Sequence, residues 1–123
     1  VHLTAKGSLV PRQPKKIPAF FYQTANGTEP VRDWLLTLNA NDRRTIGIDI
    51  ATVEYGWPVG MPTCRSLGDG LWEVRSSLAS RREARVIFAM LDERMALLHG
   101  FIKKSQKTPK SDLDLALKRL KEL

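Results

Sequence analysis

The sequence is poor in the residues that build metal and disulfide sites. It has one cysteine, Cys64, and two histidines, of which only His99 lies beyond the first dozen residues. One cysteine excludes an intrachain disulfide and a multi-cysteine zinc site, and it is typical of a reducing compartment. The chain also has no HExxH motif, no glycine-rich phosphate loop before a helix and no carboxylate grouping typical of a two-metal nuclease. We therefore expect a cytoplasmic protein without a metal or a cofactor.

Long apolar runs are missing as well. No run approaches the roughly 20 residues that a helix needs to cross a bilayer. No signal peptide is evident, and no membrane partner is expected. The segment GSLVPR, residues 7–12, resembles a protease-cleavable expression linker. We expect residues 1–12 to be an expression-tag remnant and residues 13–123 to form a single domain.

The chain is rich in positive charge. It has 20 Lys and Arg against 13 Asp and Glu, a formal net charge of +7, and a hydrophobic fraction of 42% that suffices for one packed core. Such an excess favours a polyanionic partner, which means nucleic acid, an acidic protein or an anionic membrane face. The simpler alternative is a solvated basic surface that only aids solubility.

The order of periodic segments predicts an α+β domain. A short aromatic run predicts a strand at 16–23, helical spacing predicts two helices capped by Thr28 and Asn41, and 59–70 is aperiodic. Three strand-like runs with short turns then predict an antiparallel meander, and a last helix begins at Ser111. The predicted order is β-α-α-β-β-β-α, a small, mainly antiparallel sheet with the helices packed on one side. The runs are 71–78, 83–91 and 94–104.

The positive charge concentrates in the predicted meander. Residues 64–110 hold ten basic and five acidic side chains. In a meander the start of the second strand lies beside the end of the first and the end of the third. One edge of the sheet should therefore gather Arg75, Arg85, Lys103 and Lys104, near the turn residues Arg81 and Arg82. Several cations on a rigid scaffold suit the binding of phosphates.

Each candidate also has a structural interpretation. Arg81 and Arg82 lie in a turn, where solvated charges are common, and Arg75 could pair with Glu73 or Glu83. His99, alone on a strand, could act as a general base near pH 7 or could be a hydrogen-bonded structural residue. Without a metal or a covalent nucleophile, RNA cleavage remains open to this chain, because the 2′-hydroxyl of RNA can attack the adjacent phosphorus.

Three segments carry a resemblance to a known family. GLWEVR, ARVIFAMLDERMALLHGFIKKSQKTP and the final helix resemble the HigB branch of the RelE-like toxins, in particular its phage-derived members, over residues 15–123. The resemblance implies a compact α+β fold and a ribosome-dependent mRNA endonuclease of a type II toxin–antitoxin system. The implied partners are mRNA in the ribosomal A site and a helix-turn-helix antitoxin from the adjacent gene.

The resemblance also implies roles for individual residues. Arg75 would face the mRNA, Arg85 would hold the scissile phosphate, and Lys103 and Lys104 would be the basic pair after the last core strand. Some members carry a tyrosine or histidine near the C-terminus that this chain lacks, so His99 or a lysine is the candidate base. Further RNA contacts are expected from Arg81, Arg82, Lys107 and Lys110. The alternatives are a non-catalytic RNA- or ribosome-binding module and a basic protein-interaction domain.

Overall fold

The computed structural model describes residues 2–3, 9–10, 14–104 and 106–123. Within these ranges it has three helices and seven strands, which confirms the α+β class. The elements are β1 (His2–Leu3), β2 (Leu9–Val10), β3 (Ala19–Phe21), α1 (Pro30–Thr37), α2 (Ala40–Gly56), β4 (Cys64–Gly68), β5 (Leu71–Ser77), β6 (Glu83–Leu91), β7 (Arg94–Ile102) and α3 (Lys110–Lys121). The prediction that residues 1–12 are a tag remnant falls mostly outside the described residues and stays a prediction.

The main sheet has five strands in the order β3-β7-β6-β5-β4. Strands β4 to β7 form an antiparallel meander, as predicted for the last three of them, and β3 pairs in parallel with β7. Strands β1 and β2 pair separately with each other. Strand β4 was missed, because residues 59–70 were interpreted as an aperiodic connection. It is a short edge strand with a bulge between Ser66 and Gly68, and this irregularity removes the alternation that marks a strand in sequence.

The helices cover both faces of the sheet, so the expectation that they lie on one side was wrong. Helices α1 and α2 pack on one face through a core that includes Val31, Ile46, Val86 and Phe88. Helix α3 packs on the other face against a second apolar cluster, with its Leu113, Leu117 and Leu120 stripe among the packed residues. Strand β6 is apolar on both faces, since Ile87 and Ala89 are also buried. A strand of this kind is typical of a sheet that is covered on both sides.

The helix boundaries differ slightly from those predicted. Asn39, not Asn41, caps α2, with its side chain accepting a hydrogen bond from the backbone N–H of Asp42 at 2.8 Å. Helix α1 follows Glu29 rather than Thr28. Helix α3 follows Pro109, which places Ser111 inside the helix. Several residue types can precede a helix, so composition alone does not choose among close neighbours.

Candidate nucleic-acid interface

Three neighbouring strands bring basic side chains together at one end of the sheet. Arg75 of β5 is the cross-strand partner of Arg85 of β6, and Arg85 is the partner of Phe101 of β7. Two residues beyond Phe101, the backbone N–H of Lys103 donates to the carbonyl of Glu83 at 2.7 Å. Arg75, Arg85 and Lys103 therefore meet on the α3 face of the sheet, as the meander geometry predicted.

Two carboxylates separate these like charges, which would otherwise repel across the strands. The Arg85 guanidinium lies 3.7 Å from the Glu73 carboxylate through Nε and 3.2 Å from Glu83 through its second terminal nitrogen. Arg75 lies 3.8 Å from Glu73, and Lys103 lies 3.9 Å from Glu83. We call these five residues the ion-pair cluster. It holds three cations and two carboxylates, so positive charge remains in excess.

The two carboxylates have different surroundings. Glu73 is buried and accepts a hydrogen bond from the Thr108 hydroxyl at 2.9 Å, which ties the segment before α3 to the sheet. Glu83 is partly open to solvent, with 44% of its side chain exposed. The hydrogen bond from Arg85, followed by the charges of Arg85, Lys103 and Arg75, lowers the pKa of Glu83. Glu83 is therefore an ionised carboxylate at the accessible side of the cluster.

Arg85 lies beneath Glu83 rather than at the surface. Only 2% of Arg85 is exposed. Besides its two carboxylate partners, its guanidinium donates to the carbonyl of Ala84 at 2.9 Å. Sequence reasoning assigned Arg85 to the scissile phosphate, and in the observed arrangement Glu83 must move before a phosphate can reach it. The arrangement makes Arg85 a residue that positions Glu73 and Glu83.

The accessible cations line a pocket of about 280 Å³, which we call the basic pocket. Its wall is formed by Arg81, Glu83, Lys103, Lys104 and Gln106. Ser80 and Arg81 both have a left-handed backbone, with φ of 61° and 59°. Non-glycine residues rarely adopt this conformation, and it recurs at functional sites. Here it brings Arg81 to the same pocket as the Lys103–Lys104 pair.

A second pocket of about 310 Å³ is also lined by Glu83, and we call it the side pocket. Glu83 lines both pockets, and Arg75 of the ion-pair cluster lines the side pocket. The remaining wall comes from α2, from the segment before β4 and from Ser77 at the end of β5. The lining residues are Thr45, Asp49, Pro62, Thr63, Arg75, Ser77 and Glu83.

Arg82 is held in a structural contact. It forms a two-bond ion pair with Asp42 of α2, at 2.7 and 2.9 Å. This hydrogen-bonded pair lowers the pKa of Asp42 and raises that of Arg82. The pair fastens the turn before β6 to the start of α2.

Three other predicted residues are absent from the described walls of both pockets, namely His99, Lys107 and Lys110. His99 shares a 2.6 Å contact with Asp112 of α3 and stacks on Phe101, and it is not among the described residues that line the two pockets. Lys110 is exposed and pairs with Asp114 at 2.9 Å. Lys107 is exposed in the segment that leads from β7 to α3.

Three acidic residues that contact or line the candidate site were not assigned to it from the sequence: Glu83, Asp112 and Asp49. Glu83 was considered only as an ion-pair partner of Arg75, although it lies two residues before Arg85 and strand alternation puts both on one face. Asp112 and Asp49 could not be placed, because the contact of a helix with a sheet is not encoded in local spacing.

Cys64 is buried, and desolvation raises the pKa of its thiol to about 11, which leaves it a poor nucleophile.

The described residues show neither a grouped set of metal ligands nor a membrane-spanning helix. Among the described residues, no three His, Cys, Asp or Glu side chains group in a way that could hold a metal ion. No helix in the described ranges combines the length and apolar character that crossing a bilayer requires.

Comparison with known proteins gives the family. The model of the phage-derived protein family Gp49-like (DUF891) matches residues 33–121, nearly three quarters of the chain. The chain belongs to this family, which is associated with toxin–antitoxin systems. The match spans α2, the meander, the ion-pair cluster and α3. Comparison with curated proteins finds no match.

Proposed function

We propose that this protein is a toxin that cleaves mRNA on the ribosome, in the branch of RelE-like toxins that contains HigB. The observation that carries the proposal is the excess of positive charge in the ion-pair cluster, which three adjacent strands hold beside an open pocket. A phosphate in the basic pocket would meet Arg81, Lys103 and Lys104 on a scaffold that is already rigid. Electrostatic stabilisation by such positioned groups is a large term in phosphoryl transfer.

The proposed reaction uses the RNA itself as nucleophile. The 2′-oxygen forms a bond to the adjacent phosphorus while the bond from phosphorus to the 5′-oxygen breaks, leaving a 2′,3′-cyclic phosphate and a 5′-hydroxyl. Glu83, ionised and at the pocket, takes the 2′-hydroxyl proton, and a lysine of the 103–104 pair donates one to the leaving oxygen. His99, which was a candidate base, is instead engaged with Asp112.

The low pKa of Glu83 would make it a weak base in the free protein. A phosphate that enters the basic pocket adds negative charge near Glu83 and competes for Lys103. Both effects raise the pKa of Glu83 toward the working range of a general base. The pocket is shallow and open, so alignment of the strand by the ribosome fits a site that does not enclose its substrate.

The proposed partners are mRNA in the ribosomal A site and a helix-turn-helix antitoxin encoded by the adjacent gene. An antitoxin partner agrees with the association of the family with toxin–antitoxin systems.

The test is primer extension on a translated mRNA, with purified protein and with ribosomes either present or omitted. We expect new ends within the coding region only when ribosomes are present. Intact message in both reactions would contradict the proposal. Cleavage of free mRNA to the same extent would contradict the dependence on the ribosome.

One observation favours a non-catalytic RNA- or ribosome-binding module as the second candidate. Arg85 is buried, Glu83 is paired with Arg85 and Lys103, and His99 is bound to Asp112, so each of these three candidates is already engaged within the protein. Such a module would arrest translation while leaving the mRNA intact, which the same primer-extension experiment detects.

A further inference from the structure

We propose that the side pocket binds a guanine base of the RNA and that Asp49 determines this preference. The inference rests on the proposed function, because it concerns the nucleotide next to the phosphate in the basic pocket. Glu83 lines both pockets, so the two share a wall residue. A nucleotide with its phosphate on the cations of the basic pocket can therefore reach the side pocket with its base.

The size and composition of the side pocket suit a nucleobase. Its volume of about 310 Å³ lies at the lower end of the range for small-molecule sites, roughly 300–1,000 Å³. Pro62 offers an apolar surface, and hydroxyls come from Thr45, Thr63 and Ser77. A hydroxyl can both donate and accept, so these residues hold a base without choosing among the four.

Asp49 is the charged residue of this wall that can choose, because Arg75 and Glu83 are already paired within the ion-pair cluster. It is half-buried, and no described residue forms an ion pair or a hydrogen bond with its carboxylate. Thr45 and Asp49 are four residues apart on α2, so both side chains lie on one side of the helix and line the same pocket. A carboxylate repels phosphates, and its presence beside an RNA site is understandable if it meets hydrogen-bond donors on a base.

The chemistry of a carboxylate selects guanine. An ionised carboxylate only accepts hydrogen bonds. Guanine presents two adjacent donors, the N1–H and the 2-amino group, on its Watson–Crick edge. Adenine and cytosine place a ring-nitrogen acceptor beside their amino group, and uracil flanks its single N–H with two carbonyl oxygens, so each would turn an acceptor toward Asp49.

The main test maps cleavage on translated reporter mRNAs that differ only in the base at one A-site position. For the wild type we expect guanine to be preferred about tenfold or more, the size of discrimination that a bidentate contact provides. Asp49→Asn offers one donor and one acceptor and should shift the preference toward adenine and cytosine, which present the complementary pair. Asp49→Ala should abolish it, and Asp33→Asn, an exposed acid on α1, should leave it unchanged.

A binding experiment separates this inference from the proposed function. Amide chemical shifts of the free protein are followed as guanosine 3′-monophosphate or adenosine 3′-monophosphate is added. We expect stronger binding of the guanosine compound, shifts at Asp49, Thr63 and Ser77, and loss of the preference in Asp49→Asn. A guanosine preference that Asp49→Asn removes, in a protein that does not cleave mRNA, would support the guanine site and contradict the proposed nuclease activity. mRNA cleavage with no base preference, or with a preference that Asp49→Asn does not alter, would contradict the guanine site and leave the proposed nuclease activity standing.

Discussion

Two ionic regions flank the start of β6, and they differ in how completely their charges are matched. Asp42 and Arg82 form one pair with two hydrogen bonds, one charge against one. The ion-pair cluster around Glu83 has three cations for two carboxylates and adjoins two pockets. A matched pair between α2 and a turn stabilises a local arrangement, whereas a surplus of one charge at a pocket is available to a ligand.

The comparison also distinguishes residues that are similar in sequence. Arg81 and Arg82 are neighbours in the same turn, yet Arg81 lines the basic pocket and Arg82 is bound to Asp42. Net charge alone would count both as RNA contacts. Their partners in the structure assign one to the candidate site and the other to the fold.

The largest effect is expected from Arg85→Ala. The change leaves Glu73 buried with weakened compensation and Glu83 without its hydrogen bond. We expect a loss of about 3–5 kcal/mol in the free energy of unfolding, because one member of a buried charge network is removed. Urea unfolding measures the loss, and Arg94→Ala, an exposed arginine over the Phe20 ring, is the control. Equal midpoints for wild type and Arg85→Ala would show that the cluster is not structural.

The next effect is expected from the lysine pair. Lys103→Ala with Lys104→Ala removes two cations from the basic pocket but no fully buried group. We expect mRNA cleavage to fall about 1,000-fold, within the range that loss of transition-state donors produces, and stability to stay nearly unchanged. Cleavage rates on a translated mRNA measure the fall. Lys121→Ala, an exposed lysine at the end of α3, should cleave like the wild type, and an equal fall in that variant would point to general charge rather than to the pocket.

Much of the fold could be predicted because it depends on local patterns. The periods of 3.6 and 2 located the helices and the meander, and short turns fixed the antiparallel pairing that brings Arg75, Arg85 and Lys103 together. Strand β4 escaped because an edge strand with a bulge lacks the alternation of a buried one. The placement of α3 escaped as well, although the two apolar faces of β6 indicated a cover on each side.

The site was less predictable, since partners and exposure depend on the tertiary structure. Arg85 is in the expected place, but its burial under Glu83 follows from contacts among three strands. Asp49 lies far from the meander in sequence and reaches the side pocket only because α2 packs beside β5. No local spacing relates these two segments.

The smallest effects on RNA affinity come from a matched pair of substitutions that tests the comparison of the two ionic regions directly. Glu83→Gln and Asp42→Asn each replace a carboxylate with an amide of the same shape. If surplus charge marks the functional region, Glu83→Gln should bind a short single-stranded RNA about fivefold more tightly, the size of one screened surface interaction. The same variant should cleave translated mRNA more slowly, because the proton acceptor is lost. Asp42→Asn should leave RNA affinity unchanged. Fluorescence anisotropy at fixed salt measures both affinities.

For stability the order of the two substitutions is reversed: Asp42→Asn should have the larger effect, and that effect should depend on pH. The folded-state pKa of Asp42 is lowered by Arg82, so its contribution to stability is present above the unfolded value of about 3.9 and is lost as the pH falls through the lower folded value. Asp42→Asn should therefore be less stable than the wild type near pH 7, with the two converging in acid. The pKa of Glu83 is lowered too, but this carboxylate is partly solvated, and Glu83→Gln should show the smaller difference. A larger loss in Glu83→Gln than in Asp42→Asn would mean that Glu83 stabilises the fold more than Asp42 does, and the division between a structural carboxylate at Asp42 and an accessible one at Glu83 would have to be reversed.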